Sequence, residues 1–184
     1  MMRYDIARAP PYLSFSSVVE EGKKKTKRRK EMNLQAVKDT LECAGEKKAP
    51  TLTDDSPEGF YDLFISHGIR VDRIEPGRIC CSFKVPQRLL NTGNFMHGGA
   101  TASLVDLVGS TAIFTVAPAS GVSIEINVSY LDSAFLDEEL EIEAKVLRVG
   151  KTVGVVSVEL RKKSTGKIVA QGRHTKYLAI SSKL

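Results

Sequence analysis

A glycine pair and a single carboxylate lie within ten residues of each other and could together carry acyl-transfer chemistry. Gly98 and Gly99 follow His97, and Asp106 comes eight residues after Gly98 among aliphatic neighbours. Glycines at a helix start let a ligand approach backbone N–H groups that lack intrahelical partners, where the helix dipole favours negative charge. A carboxylate among apolar residues is costly unless it has a partner or a use. The pattern indicates an oxyanion site and a water-activating acid.

Each of these residues also has an ordinary structural explanation. The glycine pair can allow close packing, His97 can cap or pack against the helix start, and Asp106 can bond to a neighbouring strand. The combination is more informative than any member, because Asn91 adds a side-chain amide six residues before His97.

The elements that must position these residues are one helix and a series of strands. The residues after Gly98 are small or aliphatic as far as about Phe114, which predicts a helix that is buried on every side. Apolar and polar residues alternate from Val122 to Tyr130, which predicts a half-buried strand. Further helices are expected around Asn33–Cys43 and Phe60–Ser66, and further strands over Ile69–Glu75, Arg78–Val85, Leu140–Val146, Val153–Leu160 and Lys167–Leu178. An antiparallel sheet that curves around the central helix would bury it best.

The chain resembles the hotdog-fold acyl-CoA thioesterases over roughly Phe60 to Ala179. The matching segments run from Asn91 to Asp106, from Gly121 to Tyr130, over Gly150-Lys151-Thr152 and from Gly172 to Lys176. The resemblance implies an α+β hotdog fold, with an antiparallel sheet of five to six strands around one long central helix. It also implies hydrolysis of acyl-CoA to free acid and coenzyme A, without a metal or a bound cofactor.

The same resemblance assigns roles to particular residues. Asp106 would be the general base or the nucleophile toward the thioester carbonyl, and Ser123 would help to position the attacking water. Asn91 and the Gly98 N–H would polarise the carbonyl oxygen, and His97 would support the Asn91 loop. Preorganised donors of this kind commonly lower such a barrier by several kcal/mol.

The spacing of Gly98 and Asp106 constrains the mechanism. Eight helical residues span about 12 Å, so one carbonyl group cannot touch both residues of the same chain. A composite site must then take its donors and its carboxylate from two subunits related by a twofold axis. A homodimer is therefore required, and the resemblance implies that two such dimers form a homotetramer.

Two other functions remain open. A hotdog dehydratase acting on a hydroxyacyl thioester would need a histidine across from the carboxylate, and His97 is poorly placed because it adjoins the oxyanion donors. A non-catalytic acyl-CoA-binding protein would not need Asn91, Gly98, Asp106 and Ser123 together. The sequence has no Gly-x-Ser-x-Gly motif, which argues against a serine hydrolase.

Basic side chains at the pocket mouth should bind the phosphates of coenzyme A, which carry most of its charge. Arg148, Lys151 and Arg173 are the candidates from their positions after or within strands.

The remaining reactive residue types are expected to be structural. Cys43, Cys80 and Cys81 have no paired spacing, so we expect reduced thiols and no zinc site. His67 and His174 are expected to be packing or surface histidines, and Glu125 is expected to face solvent or an interface.

Composition sets the domain organisation. The 184 residues, 42% of them hydrophobic, suit a single domain, and no run of about 18 apolar residues predicts a membrane span. Residues 1–31 hold nine basic and four acidic residues and are expected to be a disordered extension that binds no nucleic acid, although a nuclear or organellar signal is an alternative. We expect a helix and linker over 32–59 and the hotdog domain over 60–180.

The last residues, 181–184, are expected to form a tail. It ends in Ser182-Lys183-Leu184, the tripeptide that the peroxisomal import receptor reads. The sequence thus predicts a peroxisomal location, with the cytoplasm or another organelle as the alternative.

Overall fold

The computed structural model describes residues 33–42, 59–117 and 121–178, which form three α-helices and one six-stranded sheet. The helices are α1 (Leu34–Glu42), α2 (Phe60–Ser66) and α3 (Gly98–Phe114). The strands are β1 (Ile69–Glu75), β2 (Arg78–Lys84), β3 (Val122–Tyr130), β4 (Glu139–Val149), β5 (Val153–Lys162) and β6 (Ile168–Tyr177). The predictions for residues 1–31, for Cys43 and for the Ser182-Lys183-Leu184 tripeptide lie outside the described residues.

The sheet is antiparallel throughout and has the strand order β1-β2-β4-β5-β6-β3. Helix α3 packs against strands β2 to β6, and its Leu104, Val105 and Val108 side chains are fully buried. Close approach of helix and sheet depends on Gly172 of β6, where an added Cβ would lie 2.6 Å from a methyl carbon of Val105. This architecture confirms the predicted hotdog fold.

The predicted elements match the observed ones closely, with two additions. Strand β4 continues beyond the predicted Val146 to Val149, because a bulge between Val146 and Arg148 lets pairing with β5 resume. A short 3₁₀ helix over Gln87–Leu89 lies in the loop before α3 and was not predicted. No helix among the described residues is long and apolar enough to cross a membrane.

A second bulge, in β3, changes the face on which Ser123 lies. If the residues of β3 alternated strictly, Ser123 and Ile126 would lie on different faces of the sheet. Ser123 would then be on the face away from α3. The register shifts between Ser123 and Glu125, however, so Ser123 pairs with Lys176 and Ile126 pairs with His174. Cross-strand pairs share a face of the sheet. The bulge therefore turns Ser123 toward α3.

Two predictions of burial are wrong for the single chain. Strand β3 lies at the edge of the sheet, and Val122, Ile124 and Tyr130 are each more than half exposed rather than half-buried. Helix α3 is not buried on every side either, because the Asp106 side chain is 41% exposed. The exposed side of α3 and the exposed edge strand lie next to each other along a groove that both Asp106 and Ile126 line.

Candidate functional site

The start of α3 presents an unpaired backbone donor. His97 is the N-cap residue, and its Nδ1 accepts a hydrogen bond of 2.8 Å from the Gly99 N–H. This contact fixes the tautomer of a neutral His97, so the proton is on Nε2. The Gly98 N–H makes no hydrogen bond within the described part of the chain, while the Gly98 carbonyl accepts one of 3.1 Å from the Tyr130 hydroxyl.

The Asn91 side chain organises the loop before this helix. Its Oδ1 accepts hydrogen bonds from the Gly93 N–H at 2.8 Å and from the Phe95 N–H at 3.4 Å. Because backbone N–H groups can only donate, the atom facing them is the oxygen. The Nδ2 amide is then free to donate to a ligand, and it makes no hydrogen bond to any described residue.

The Asp106 carboxylate is held through one of its two oxygens. Oδ1 accepts a hydrogen bond of 3.2 Å from Ser110 Oγ, one helical turn further on, and lies 3.6 Å from His174 Nε2. Oδ2 accepts no hydrogen bond from the residues that the structure describes. One oxygen is therefore anchored, and the other faces the groove between α3 and β3.

His174, which was predicted to be a packing or surface histidine, is buried and lies beside Asp106 and Ser123. Its imidazole is fully buried, and its Nε2 lies 2.9 Å from Ser123 Oγ. Burial lowers the pKa of His174, the Asp106 carboxylate opposes that shift, and the Lys176 ammonium adds to it. A neutral imidazole therefore connects Ser123 to the carboxylate.

Lys176 is a further member that sequence reasoning missed. It is 6% exposed, and its Nζ donates a hydrogen bond of 3.0 Å to Ser110 Oγ. On β6 it shares the helix-facing row with His174, two residues earlier. Its partner Ser110 lies four residues after Asp106 and hence on the same side of α3.

The two halves of the predicted site are apart in one chain. Asp106, Ser123 and His174 meet at the third turn of α3, whereas Asn91 and the Gly98 N–H lie at its first turn. Tyr130 of β3 stands between them, because it lines both the groove beside Asp106 and a second groove of about 480 Å³ beside Gly98.

The three candidate coenzyme A ligands are exposed and unpaired, but they do not form one cluster. Arg148 and Lys151 lie at the turn between β4 and β5, and Arg173 lies in the middle of β6. The bulge in β4 pairs Arg148 with Val155, which places it, like Arg173, on the face of the sheet away from α3. None of the three forms an ion pair with another described residue.

Other reactive residues have structural roles. Cys80 and Cys81 are free thiols in β2, and burial, followed by the neighbouring carboxylate of Glu141, raises the pKa of Cys80 to about 11. His67 ends α2, and its carbonyl accepts a hydrogen bond from Arg88. Glu125 is exposed on the outer face of the sheet, as predicted. The described residues contain no cluster of three or more potential metal ligands.

Comparison with known proteins agrees with this architecture. A family model described as "Thioesterase superfamily" matches residues 93–169. Acyl-coenzyme A thioesterase 13 of Homo sapiens is 45% identical over 104 residues, which cover 56% of this chain and 74% of that protein. The Mus musculus protein of the same name is 43% identical over the same shares of the two chains.

Solved structures give the same assignment. Thioesterase superfamily member 2 of zebra fish has a TM-score of 0.67 and 35% identity, covering 79% of this chain and 98% of that chain. The Mus musculus thioesterase superfamily member 2 has a TM-score of 0.66 and 32% identity, covering 79% of this chain and 97% of that one. On its sequence identity and its fold, the chain belongs to the thioesterase superfamily.

Proposed function

We propose that this protein hydrolyses acyl-CoA thioesters to a free carboxylic acid and coenzyme A. The observation that carries the proposal is the cluster of Asp106, His174 and Ser123 beside an open groove that Asp106 lines, with one carboxylate oxygen anchored and the other free. The similarity to acyl-coenzyme A thioesterase 13 names the substrate class.

The attacking half of the site is the Asp106 cluster. A water beside the free Oδ2 would lose a proton to Asp106 as it adds to the thioester carbonyl carbon, while the Ser123 hydroxyl holds it in line. The carbon–sulfur bond then breaks, and coenzyme A leaves as a thiolate that takes up a proton. Direct attack by Asp106, through an anhydride that water hydrolyses, is the other route open to this carboxylate.

The stabilising half is the start of α3. As the carbonyl carbon becomes tetrahedral, its oxygen gains negative charge. The Gly98 N–H and the Asn91 Nδ2 amide are free donors at the positive end of the helix dipole. His97 holds the first turn through its bond to Gly99 and directs its Nε2–H outward.

These halves would meet only across a subunit interface. We infer that β3 pairs with β3 of a second copy about a twofold axis, because an edge strand with exposed apolar side chains is poorly suited to water. Asp106 of one subunit would then face Asn91 and Gly98 of the partner subunit. Further pairing of two dimers into a tetramer would be seen as a doubled mass in light scattering.

Coenzyme A would be held by exposed cations that have no ion-pair partner among the described residues. Arg148 and Lys151 are the stronger candidates, because the turn that carries them adjoins the start of β3. In this region the Leu178 N–H donates a hydrogen bond to the Thr152 carbonyl, and the preceding residue, Tyr177, pairs with Val122 of β3. Arg173 lies further along the outer face of the sheet. Phosphate groups favour such exposed cations.

The test measures thiol release by the full chain from short, long and aromatic acyl-CoAs. Asp106→Asn and Asp106→Ala should each reduce turnover of the best substrate at least about a hundredfold without changing the oligomeric mass. Asp137→Asn is the matched control, because Asp137 is exposed and its carboxylate pairs only with Lys84 among the described residues.

Three outcomes would contradict the proposal. Tight acyl-CoA binding without turnover would identify a binding protein, and loss of water from a hydroxyacyl-CoA without thiol release would identify a dehydratase. Undiminished turnover in both Asp106 variants would show that the carboxylate is not catalytic.

A further inference from the structure

Lys176 is a buried cation that the hydrolytic mechanism above does not use. It is 6% exposed in the single chain, and its helix-facing row on β6 otherwise contains Ala170, Gly172, His174 and, just beyond the strand, Leu178. Removing an ammonium group from water is expensive unless it is paired. A methionine or leucine would fill the same space at less cost, so the charge itself requires an explanation.

The contacts of Lys176 lead to the reactive carboxylate. Its Nζ donates to Ser110 Oγ at 3.0 Å and lies 5.6 Å from the centre of the Phe114 ring. Ser110 Oγ in turn donates to Asp106 Oδ1 at 3.2 Å. The ammonium and the carboxylate are therefore at most about 6 Å apart, with one hydroxyl between them.

The direction of these two hydrogen bonds follows from their end groups. An ammonium has no acceptor and a carboxylate has no donor, so the Ser110 proton must point to Asp106. The relay thereby fixes Oδ1, and with it the plane of the carboxylate, while Oδ2 stays free for the water. A neutral residue at position 176 would let the Ser110 hydroxyl rotate away.

We propose that Lys176 is a positioning residue that acts through Ser110 to orient the Asp106 carboxylate and to balance its charge. This inference rests on the proposed hydrolytic role of Asp106. Burial lowers the pKa of Lys176, and the nearby Asp106 carboxylate opposes that shift.

Other ionisable groups also face Asp106. They are Asp62 on α2, His174 on β6 and Tyr130 on β3, whose phenol lines the same groove. Desolvation raises the pKa of Asp62, and the charge of Asp106 raises it further. Of these, His174 also senses Lys176 directly. The test must therefore separate the effect on Asp106 from the effect on His174.

The test compares kcat and KM of full-length Lys176→Met and Ser110→Ala with those of the wild type. The kcat of Lys176→Met should fall about tenfold because the carboxylate is less well oriented, with little change in KM. A change confined to kcat distinguishes a positioning role from a general loss of structure.

Ser110→Ala removes the link while leaving the Lys176 charge beside His174. Its kcat should also fall, again with little change in KM, and the double variant should be no worse than Lys176→Met, because both changes interrupt one relay. Lys84→Met is the matched control, since Lys84 is exposed and pairs with Asp137. It should keep the wild-type kcat and KM.

The possible failures are distinguishable. A wild-type kcat for Lys176→Met, in a protein whose turnover still requires Asp106, would overturn the relay and leave the hydrolase intact. Absence of turnover in the wild type would overturn the proposed function itself. If Lys176→Met fails to fold, Ser110→Ala decides alone, because it removes a single oxygen, and an unchanged kcat there rejects the relay.

Discussion

His174 Nε2 on β6 lies 3.6 Å from Asp106 Oδ1 at the centre of α3. The contact brings the strand and the helix together in one site. The imidazole is fully buried, whereas the carboxylate is partly open to the groove. His174 also contacts Ser123 at 2.9 Å. It is therefore the residue that couples the proposed water-positioning hydroxyl to the proposed base.

The first prediction follows from that coupling. His174→Gln should lower kcat by about tenfold or more, because Ser123 and Asp106 lose their common partner, while KM changes little. His67→Gln serves as the control, since His67 lies at the end of α2 and is not among the residues that line the groove with Asp106. Thiol-release kinetics check the result, and equal kcat values for the two variants would contradict the coupling.

The second prediction concerns stability against pH. Burial lowers the pKa of His174 below its ordinary value of about 6.5, so the unfolded chain binds more protons than the folded one as the pH falls below that value. The contribution is fully present above about pH 6.5 and is lost as the pH falls toward the folded-state pKa.

Denaturant unfolding at pH 7.5 and 5.5 measures this effect. The free energy of unfolding of the wild type should fall on acidification by about 1 kcal/mol more than that of His174→Gln. Parallel losses in the two proteins would show that His174 does not contribute.

The third prediction separates a functional glycine from a structural one. An alanine Cβ at position 98 would meet only the Tyr130 ring, at 3.5 Å, so the fold does not require glycine there. Gly98→Ala should therefore fold normally but lose about a hundredfold in kcat, because the Cβ obstructs the approach of the carbonyl to the N–H.

Gly172→Ala is the opposite case, since its Cβ would lie 2.6 Å from a Val105 methyl carbon. It should lower the melting temperature by several degrees through overpacking. Full activity of Gly98→Ala would contradict the oxyanion role of its N–H.

Much of the fold could be predicted, because its signals are periodic. Strand β1 (Ile69–Glu75) and helix α3 (Gly98–Phe114) occur where composition and turn residues placed them. Asp106, Asn91 and Gly98 were found as site candidates because a polar or flexible residue is conspicuous in an apolar helix or before one.

The missing parts depend on tertiary register. Lys176 is a residue type that normally faces solvent, and only the pairing of β6 with β5 and β3 shows that it faces α3. Ser123 faces α3 because of a bulge in β3, and the alternation of apolar and polar residues does not reveal a bulge. The proximity of His174 to Asp106 was not predicted for the same reason: the pairing of β6 with β5 and β3 determines which face of the sheet His174 lies on.

The fourth prediction tests the edge strand as an interface. Ile124 is 59% exposed in the single chain, and a lysine there would place a charge in an apolar β3–β3 contact. Ile124→Lys should give monomers in light scattering and should lose activity with them. Leu147→Lys is the matched control, since Leu147 is 54% exposed on β4, away from the edge.

The last prediction tests whether the site is shared between subunits. Asp106→Asn and Gly98→Ala should each be nearly inactive alone, but a mixed dimer of the two would contain one site with both lesions and one with neither. In the unseparated co-expressed mixture, turnover should recover to about a quarter of the wild-type value, since half of the dimers are mixed and half of their sites are intact. Heterodimers isolated with two affinity tags should reach about half of the wild-type value. If each site instead belonged to a single chain, every site in the mixture would carry one lesion and activity would stay at the level of the parents. Restoration would show that the Asp106 carboxylate of one subunit works with the Gly98 N–H of the other, as we expect from the separation of the two residues along α3.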